Sequence, residues 1–143
     1  MQSDNEKMLQ EIVQNTEMGK NTLDELMGLT YDQKLKDEMM RQKNEYRRLN
    51  QQAHTALDAI GAQAKGQSAA ARMSVSMGIR TRTMLDKSTR NLATMLAEGS
   101  GQGVLDCKRA ERDYPEASPG AFKLCHELGA FQSDAEETWR GFV

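Results

Sequence analysis

The sequence predicts an all-α protein, and three observations support that prediction. Only 2 of the 143 residues are proline, and aromatic residues make up 5% of the chain. Helix formers that are unbranched at Cβ, such as Ala, Leu, Gln, Glu and Lys, are plentiful and Met reaches 10, whereas the β-branched residues that favour strands are scarce. Apolar residues also recur three and four positions apart along four long stretches, which is the spacing of one helix face.

The first two stretches predict two long antiparallel helices. Residues 4–29 form the first helix, capped by Ser3 or Asp4, and residues 32–60 form the second, capped by Asp32. The apolar stripe of the first helix is Leu9, Ile12, Thr16, Gly19, Leu23 and Leu26. The stripe of the second is Leu35, Met39, Gln42, Tyr46, Leu49, Ala53, Ala56 and Ile60. Because a short turn joins these helices, we expect them to pack side by side.

Residues 61–87 are predicted to form a long, partly helical crossover. Ser68 caps an Ala- and Met-rich segment in which Met73, Met77 and Met84 share one face. Gly78 and the stretch at residues 81–83 argue against one continuous helix there. Residues 62–92 carry six basic side chains and a single acidic one, Asp86. We expect this crossover to pack less tightly than the long helices.

Residues 88–113 and 118–142 are predicted to form the third and fourth long helices. Ser88 caps the third, Pro115 ends it, and Pro119 occupies the first turn of the fourth. The third stripe is Leu92, Met95, Leu96, Gly99, Gly103, Asp106 and Ala110. The fourth is Ala121, Leu124, Cys125, Leu128, Phe131, Ala135, Thr138, Trp139 and Phe142. Four long helices with a long connection between the second and third predict one domain, a ferritin-like four-helix bundle.

Three short stretches carry a resemblance to other proteins. They are residues 14–19 (QNTEMG), residues 77–79 followed by 86–88 (MGI and DKS), and residues 98–100 followed by 103–104 (EGS and GV). In these stretches the chain resembles an uncharacterised family of helical proteins from clostridia and related bacteria. The resemblance spans nearly the whole chain and implies a ferritin-like bundle. It implies no catalytic residues, because no function is assigned to that family.

The pattern of a di-iron site is missing from the predicted helices. Such a site needs Glu-x-x-His on two of its helices. Gln51 precedes His54 by three residues, and Lys123 precedes His126 by three. We therefore expect no stoichiometric iron and no other metal or cofactor.

The second half of the chain contains a scattered set of groups that could bind a metal. The set is Asp106, Cys107, Cys125, His126 and Glu127. It lacks the paired, closely spaced ligands of a zinc site. We interpret the cysteines as small core residues.

Small residues on facing helices predict a hollow in the middle of the bundle. Gly99 and Gly103 share one helix face, and Gly19 lies on the stripe of the first helix. The stretch at residues 99–103 lacks the Lys-Ser/Thr of a phosphate-binding loop and follows no strand. Either a large side chain such as Tyr46 or Met95 fills the hollow, or a small ligand does.

Two polar residues fall on stripes that are predicted to be buried. They are Gln42 and Asp106. Buried polar groups need hydrogen-bond partners, so these residues either form a network with Tyr46 or mark an altered ligand site.

These patterns favour a protein without catalytic activity, a structural or interaction module that self-associates. The alternative is a module that binds a small ligand or a metal at Gly19, Gln42, Tyr46, Gly99, Gly103 and Asp106. No aromatic residue interleaves the basic side chains of the crossover, so we expect no nucleic-acid partner. The crossover either docks on the acidic bundle helices or lies on a membrane surface. The polar N-terminus and the lack of a long apolar run predict a cytoplasmic protein.

Overall fold

A computed structural model describes residues 2–143, and within them it contains five helices and no strand. The helices are α1 (Asp4–Met27), α2 (Gln33–Ala59), α3 (Ala69–Thr83), α4 (Thr89–Asp113) and α5 (Pro119–Arg140). The all-α prediction is confirmed. The four long helices begin and end within two residues of the predicted bounds. None of the helices in residues 2–143 combines the length and apolar character that a membrane crossing requires.

A capping side chain precedes every helix, which explains why the helix starts could be predicted so closely. In each case the side-chain oxygen of the cap accepts a hydrogen bond from the backbone N–H three residues later. The caps are Ser3, Asp32, Ser68, Ser88 and Ser118. Each such cap contributes about 1 kcal/mol, because it satisfies a backbone donor that the helix leaves unpaired.

The four long helices pack as two hairpins around one core. Helix α1 lies along α2 and α4 lies along α5, and the hairpins meet where α1 contacts α4 and α5 and where α2 contacts α5. The predicted stripe of α2 is buried from Leu35 to Ala53, after which Leu57 replaces the predicted Ile60. Ile60 is exposed because the helix ends one residue before it.

The buried side of α4 is rotated away from the predicted stripe. Its buried residues are Leu92, Ala93, Leu96, Ala97, Ser100, Gly103, Cys107 and Ala110. Gly99 is exposed and Asp106 is half-exposed, so the prediction that both lie on the buried side is wrong. Most of the buried residues on α4 are small, which lets α5 approach closely along its length.

Helix α3 runs without a break through Gly78, so the predicted interruption is wrong. The hydroxyls of Thr81 and Thr83 donate to the carbonyls of Met77 and Ile79, at 2.9 and 2.7 Å, so both are satisfied inside the helix. Only Ile79 and Thr83 are buried in α3, whereas seven residues are buried in α2. The crossover is therefore the least buried of the helical segments.

The methionines of α3 point away from the core. Met73, Met77 and Met84 are 66%, 64% and 73% exposed. The crossover docks on the long helices through other residues, and these methionines take no part in that contact. The side of α3 that faces the core contributes Ile79, and most of the contacts of this helix are with α1.

Residues 61–68 are held against α1 by side-chain hydrogen bonds. Gln10 donates to the carbonyl of Gln63 and accepts from the backbone N–H of Lys65, both at 2.8 Å. Glu17 accepts from the backbone N–H of Gln67 at 3.0 Å. These bonds fix the start of the crossover over one side of α1.

Candidate ligand-binding cavity

A cavity of about 370 Å³ lies between α1 and α4. The start of the crossover, at residues 66–71, forms part of its wall, and α2 and α5 contribute Gln42, Tyr46, Gln132 and Trp139. This volume falls in the range that small-molecule sites occupy in proteins. The cavity is therefore large enough to hold an organic ligand.

The structure brings all six mid-bundle candidates together around this one cavity. They are Gly19, Gln42, Tyr46, Gly99, Gly103 and Asp106. They do not share one role, however. Some are packed against a neighbouring side chain, and others border open space.

Tyr46 fills the part of the hollow that lies beside Gly19. A Cβ atom added at Gly19 would overlap the Tyr46 ring, so only glycine lets the ring lie there. The edge of the ring meets Phe131, with the two ring centroids 5.0 Å apart. Desolvation by burial raises the pKa of Tyr46 to about 12, so the phenol stays neutral at physiological pH.

Gly99 is exposed and lies where the cavity opens to solvent. A Cβ atom at this position would meet no atom within 4 Å, apart from its chain neighbours and its own helix backbone. The predicted filling of the hollow by a large side chain therefore occurs beside Gly19, whereas the space beside Gly99 stays open.

A hydrogen-bonded group of amides connects α5 with α1 and α2. The Gln132 side-chain N–H donates to the Asn15 Oδ1 atom at 2.7 Å and to the Tyr46 hydroxyl at 3.2 Å. Asn15 Nδ2 donates in return to Gln132 Oε1 and to the Gly103 carbonyl, both at 3.4 Å. A Cβ at Gly103 would overlap the Gln132 amide, so this glycine makes room for the network.

The predicted network of Tyr46, Gln42 and Asp106 is wrong. Gln42 donates to Glu38 at 3.0 Å on its own helix. Asp106 accepts from Gln102 at 3.0 Å and pairs with Arg109 at 3.3 Å, because it lies one position off the buried stripe.

Sequence reasoning missed Asn15 and Gln132, the two amides at the centre of the network. A signal for Gln132 was present, because it lies four residues after Leu128 and three before Ala135, both on the predicted stripe of its helix. Asn15 carries no comparable signal, because it lies beside the predicted stripe of α1.

Two carboxylates lie at one end of the cavity. Helices α1 and α4 are antiparallel, so Glu11 near the start of α1 comes close to Asp106 near the end of α4. Desolvation by partial burial and the charge of Asp106 both raise the pKa of Glu11, while Arg109 and Tyr114 oppose the shift. No Lys, Arg or His side chain is among the residues that line the cavity.

The raised pKa of Glu11 predicts a pH-dependent gain in stability for Glu11→Gln. The folded protein holds the Glu11 proton more tightly than the unfolded chain, so ionisation of this group costs stability as the pH rises above 4.5. The variant should melt at a higher temperature than the parent at pH 7, and the gain should vanish below pH 4.5. Calorimetry across this range measures it, with Glu25→Gln at an exposed position of α1 as control. A gain of equal size at every pH would contradict the argument.

The two cysteines are buried and free, beside the network rather than at a metal site. The Cys125 thiol donates to the Cys107 carbonyl at 3.5 Å, and the Cys107 thiol donates to Gln132 Oε1 at 3.7 Å. The interaction with Cys125 and burial raise the pKa of Cys107, which keeps it a thiol.

The scattered set of potential ligands in the second half of the chain does not come together. The side chain of His126 is 82% exposed and lies 4.0 Å from Glu111. Within residues 2–143, no three His, Cys, Asp or Glu side chains form a group that could hold a metal ion.

Comparison of the chain with protein-family models, with curated proteins and with solved structures finds no match. The resemblance to the clostridial family therefore stays a prediction from the sequence stretches alone.

Proposed function

We propose that this protein binds a small, uncharged and mostly apolar molecule in the cavity between α1 and α4. The observation that carries the proposal is the open space beside Gly99, next to a floor that is already ordered by Tyr46 and Gln132. Sites of this kind combine apolar walls with a few fixed polar groups that orient the ligand.

The lining of the cavity indicates the chemistry of the ligand. Met18, Leu23, Met95 and Leu96 supply apolar walls, and Thr22, Ser100 and Gln102 supply hydrogen-bonding groups. An anion is disfavoured because the charged lining residues are Glu11 and Asp106, both acidic. The amide and hydroxyl groups suit an uncharged ligand that carries a carbonyl or hydroxyl group.

A fluorescent probe tests the proposal directly. Trp139 lines the cavity and is the only tryptophan of the chain, so its emission reports on this site. We expect N-phenyl-1-naphthylamine, which is neutral, to quench Trp139 by energy transfer with saturation. Its sulfonated analogue, 8-anilinonaphthalene-1-sulfonate, should bind at least about tenfold more weakly, because the sulfonate meets the acidic end of the cavity.

Gly99→Phe is the variant that separates a cavity ligand from surface binding. The added ring would occupy open space, so the variant should melt no lower than the parent while losing the quenching by the neutral probe. Gly78→Phe is the matched control, since Gly78 also has open space around it but does not line the cavity. Quenching that survives in Gly99→Phe, or equal binding of the two probes, would overturn the proposal.

We also propose that α1, α2, α4 and α5 form a ferritin-like four-helix bundle. Its support is the long connection from α2 to α4, which typifies that topology. The lining offers two carboxylates, Glu11 and Asp106, and no His or Cys, so it favours an organic ligand over a metal. A cytoplasmic location, self-association and a purely structural role stay predictions from the sequence.

A further inference from the structure

The outward face of α3 is an apolar stripe that nothing within residues 2–143 covers. Met73, Met77 and Met84, which caps the C-terminal end of α3, are spaced four and seven residues apart, so they lie on one side of the helix. Each is about two-thirds exposed or more, and Leu85, just after the helix, is 97% exposed. Arg80 lies between the second and third methionine on the same side. We infer that this methionine stripe docks on an anionic lipid surface, independently of the cavity.

The charges around the stripe complement a surface of negative charge. Within residues 2–143 four basic side chains of this region form no ion pair: Arg72, Arg80, Lys87 and Arg90. Arg82, in the same region, pairs with Glu98 at 2.6 Å. Helix α3 contains no acidic residue. Basic side chains beside an exposed apolar face are typical of helices that lie in the interface of a membrane.

The placement of α3 lets this face reach a membrane without any rearrangement. The opposite side of the helix holds the buried residues Ile79 and Thr83, which fix it to the rest of the protein. The methionine stripe can therefore enter the headgroup region while α1 and the cavity stay as they are. Flexible methionine side chains fit between acyl chains without a partner of matching shape.

A second copy of the chain fits this face less well. Two stripes packed against each other in opposite directions would bring both copies of Arg80 into a shared apolar contact. Since α3 supplies no carboxylate to neutralise them, both charges would lose water without a partner. An anionic headgroup supplies the missing charge.

Vesicle flotation with the full chain tests the inference. We expect the protein to float with vesicles of phosphatidylcholine and phosphatidylserine in equal parts, and not with pure phosphatidylcholine. Added salt should weaken the binding because it screens the headgroups. Each basic side chain near such a surface contributes about fivefold to binding. Arg80→Glu removes one such attraction and adds a repulsion of similar size, so it should weaken binding roughly 30-fold. The joint change Met73→Ser and Met77→Ser should weaken it at least about tenfold.

Two controls at exposed positions of α2 keep the test specific. Met40→Ser removes an exposed methionine and Arg47→Glu reverses an exposed charge, both away from α3, and neither should change flotation. Equal flotation with both kinds of vesicle, or no loss in the α3 variants, would overturn the inference. Sedimentation tests the alternative of a second copy. A dimer that becomes monomeric in the double variant Met73→Ser and Met77→Ser, together with no flotation, would assign the stripe to a second copy and would also overturn the inference.

Discussion

Replacing Tyr46 with alanine should lower the free energy of unfolding by about 3–5 kcal/mol, the range for large aromatic residues in a core. The ring is 5% exposed, covers Gly19 and meets the edge of Phe131. Its loss would extend the existing cavity, which the neighbouring helices cannot fill. Urea denaturation followed by circular dichroism measures the change.

Two companion variants show which part of Tyr46 matters. Tyr46→Phe keeps the ring and removes the hydroxyl that accepts from Gln132, so it should cost only about 1 kcal/mol. Tyr31→Ala is the exposure control, because Tyr31 is 100% exposed and its loss should cost less than about 0.5 kcal/mol. A loss in Tyr46→Ala no larger than that in Tyr31→Ala would mean that the ring does not fill the core.

Gly103→Leu should also destabilise the protein strongly, by about 2–4 kcal/mol. Overpacking costs about 1–3 kcal/mol, and the displaced Gln132 amide leaves buried polar groups unpaired at a similar cost. Leucine is a better helix former than glycine, and this difference offsets at most about 1 kcal/mol of the lost stability. The same denaturation experiment measures the balance.

Gly99→Leu is the matched control for this prediction. It makes the same change one turn earlier on α4, where a Cβ has open space, so the stability should stay equal or rise. Losses of equal size at the two glycines would show that leucine disturbs α4 in general. If neither variant is less stable than the parent, the Gln132 amide can move away from the new side chain.

The helices could be predicted from the sequence because their determinants are local. Caps such as Ser88 and Ser118 lie within three residues of the N–H groups that they satisfy. The spacing of large apolar residues on α2 is likewise visible in one stretch of sequence. Glycines also predicted a hollow near Gly19 and Gly99, although its size depends on how the helices pack.

The parts that sequence reasoning missed depend on residues far apart in the chain. Asn15 and Gln132 are 117 positions apart, so nothing local indicates that one amide binds the other. The rotation of α4 depends on small residues such as Ala97, which are buried only because α5 packs against them. The continuity of α3 through Gly78 shows that helix propensity is a weak guide inside a folded protein.

The arrangement in two hairpins has a consequence for the kinetics of folding. Each hairpin joins helices that are neighbours in sequence, so its loop closes quickly, whereas docking of the hairpins must bring together residues separated by most of the chain. The Gln132 amide bonds across that junction to both helices of the first hairpin. We expect these bonds to form only after the hairpins have docked, because they need three helices in place, so they slow unfolding and leave the folding rate unchanged. Gln132 is thus placed to prolong the lifetime of the folded protein.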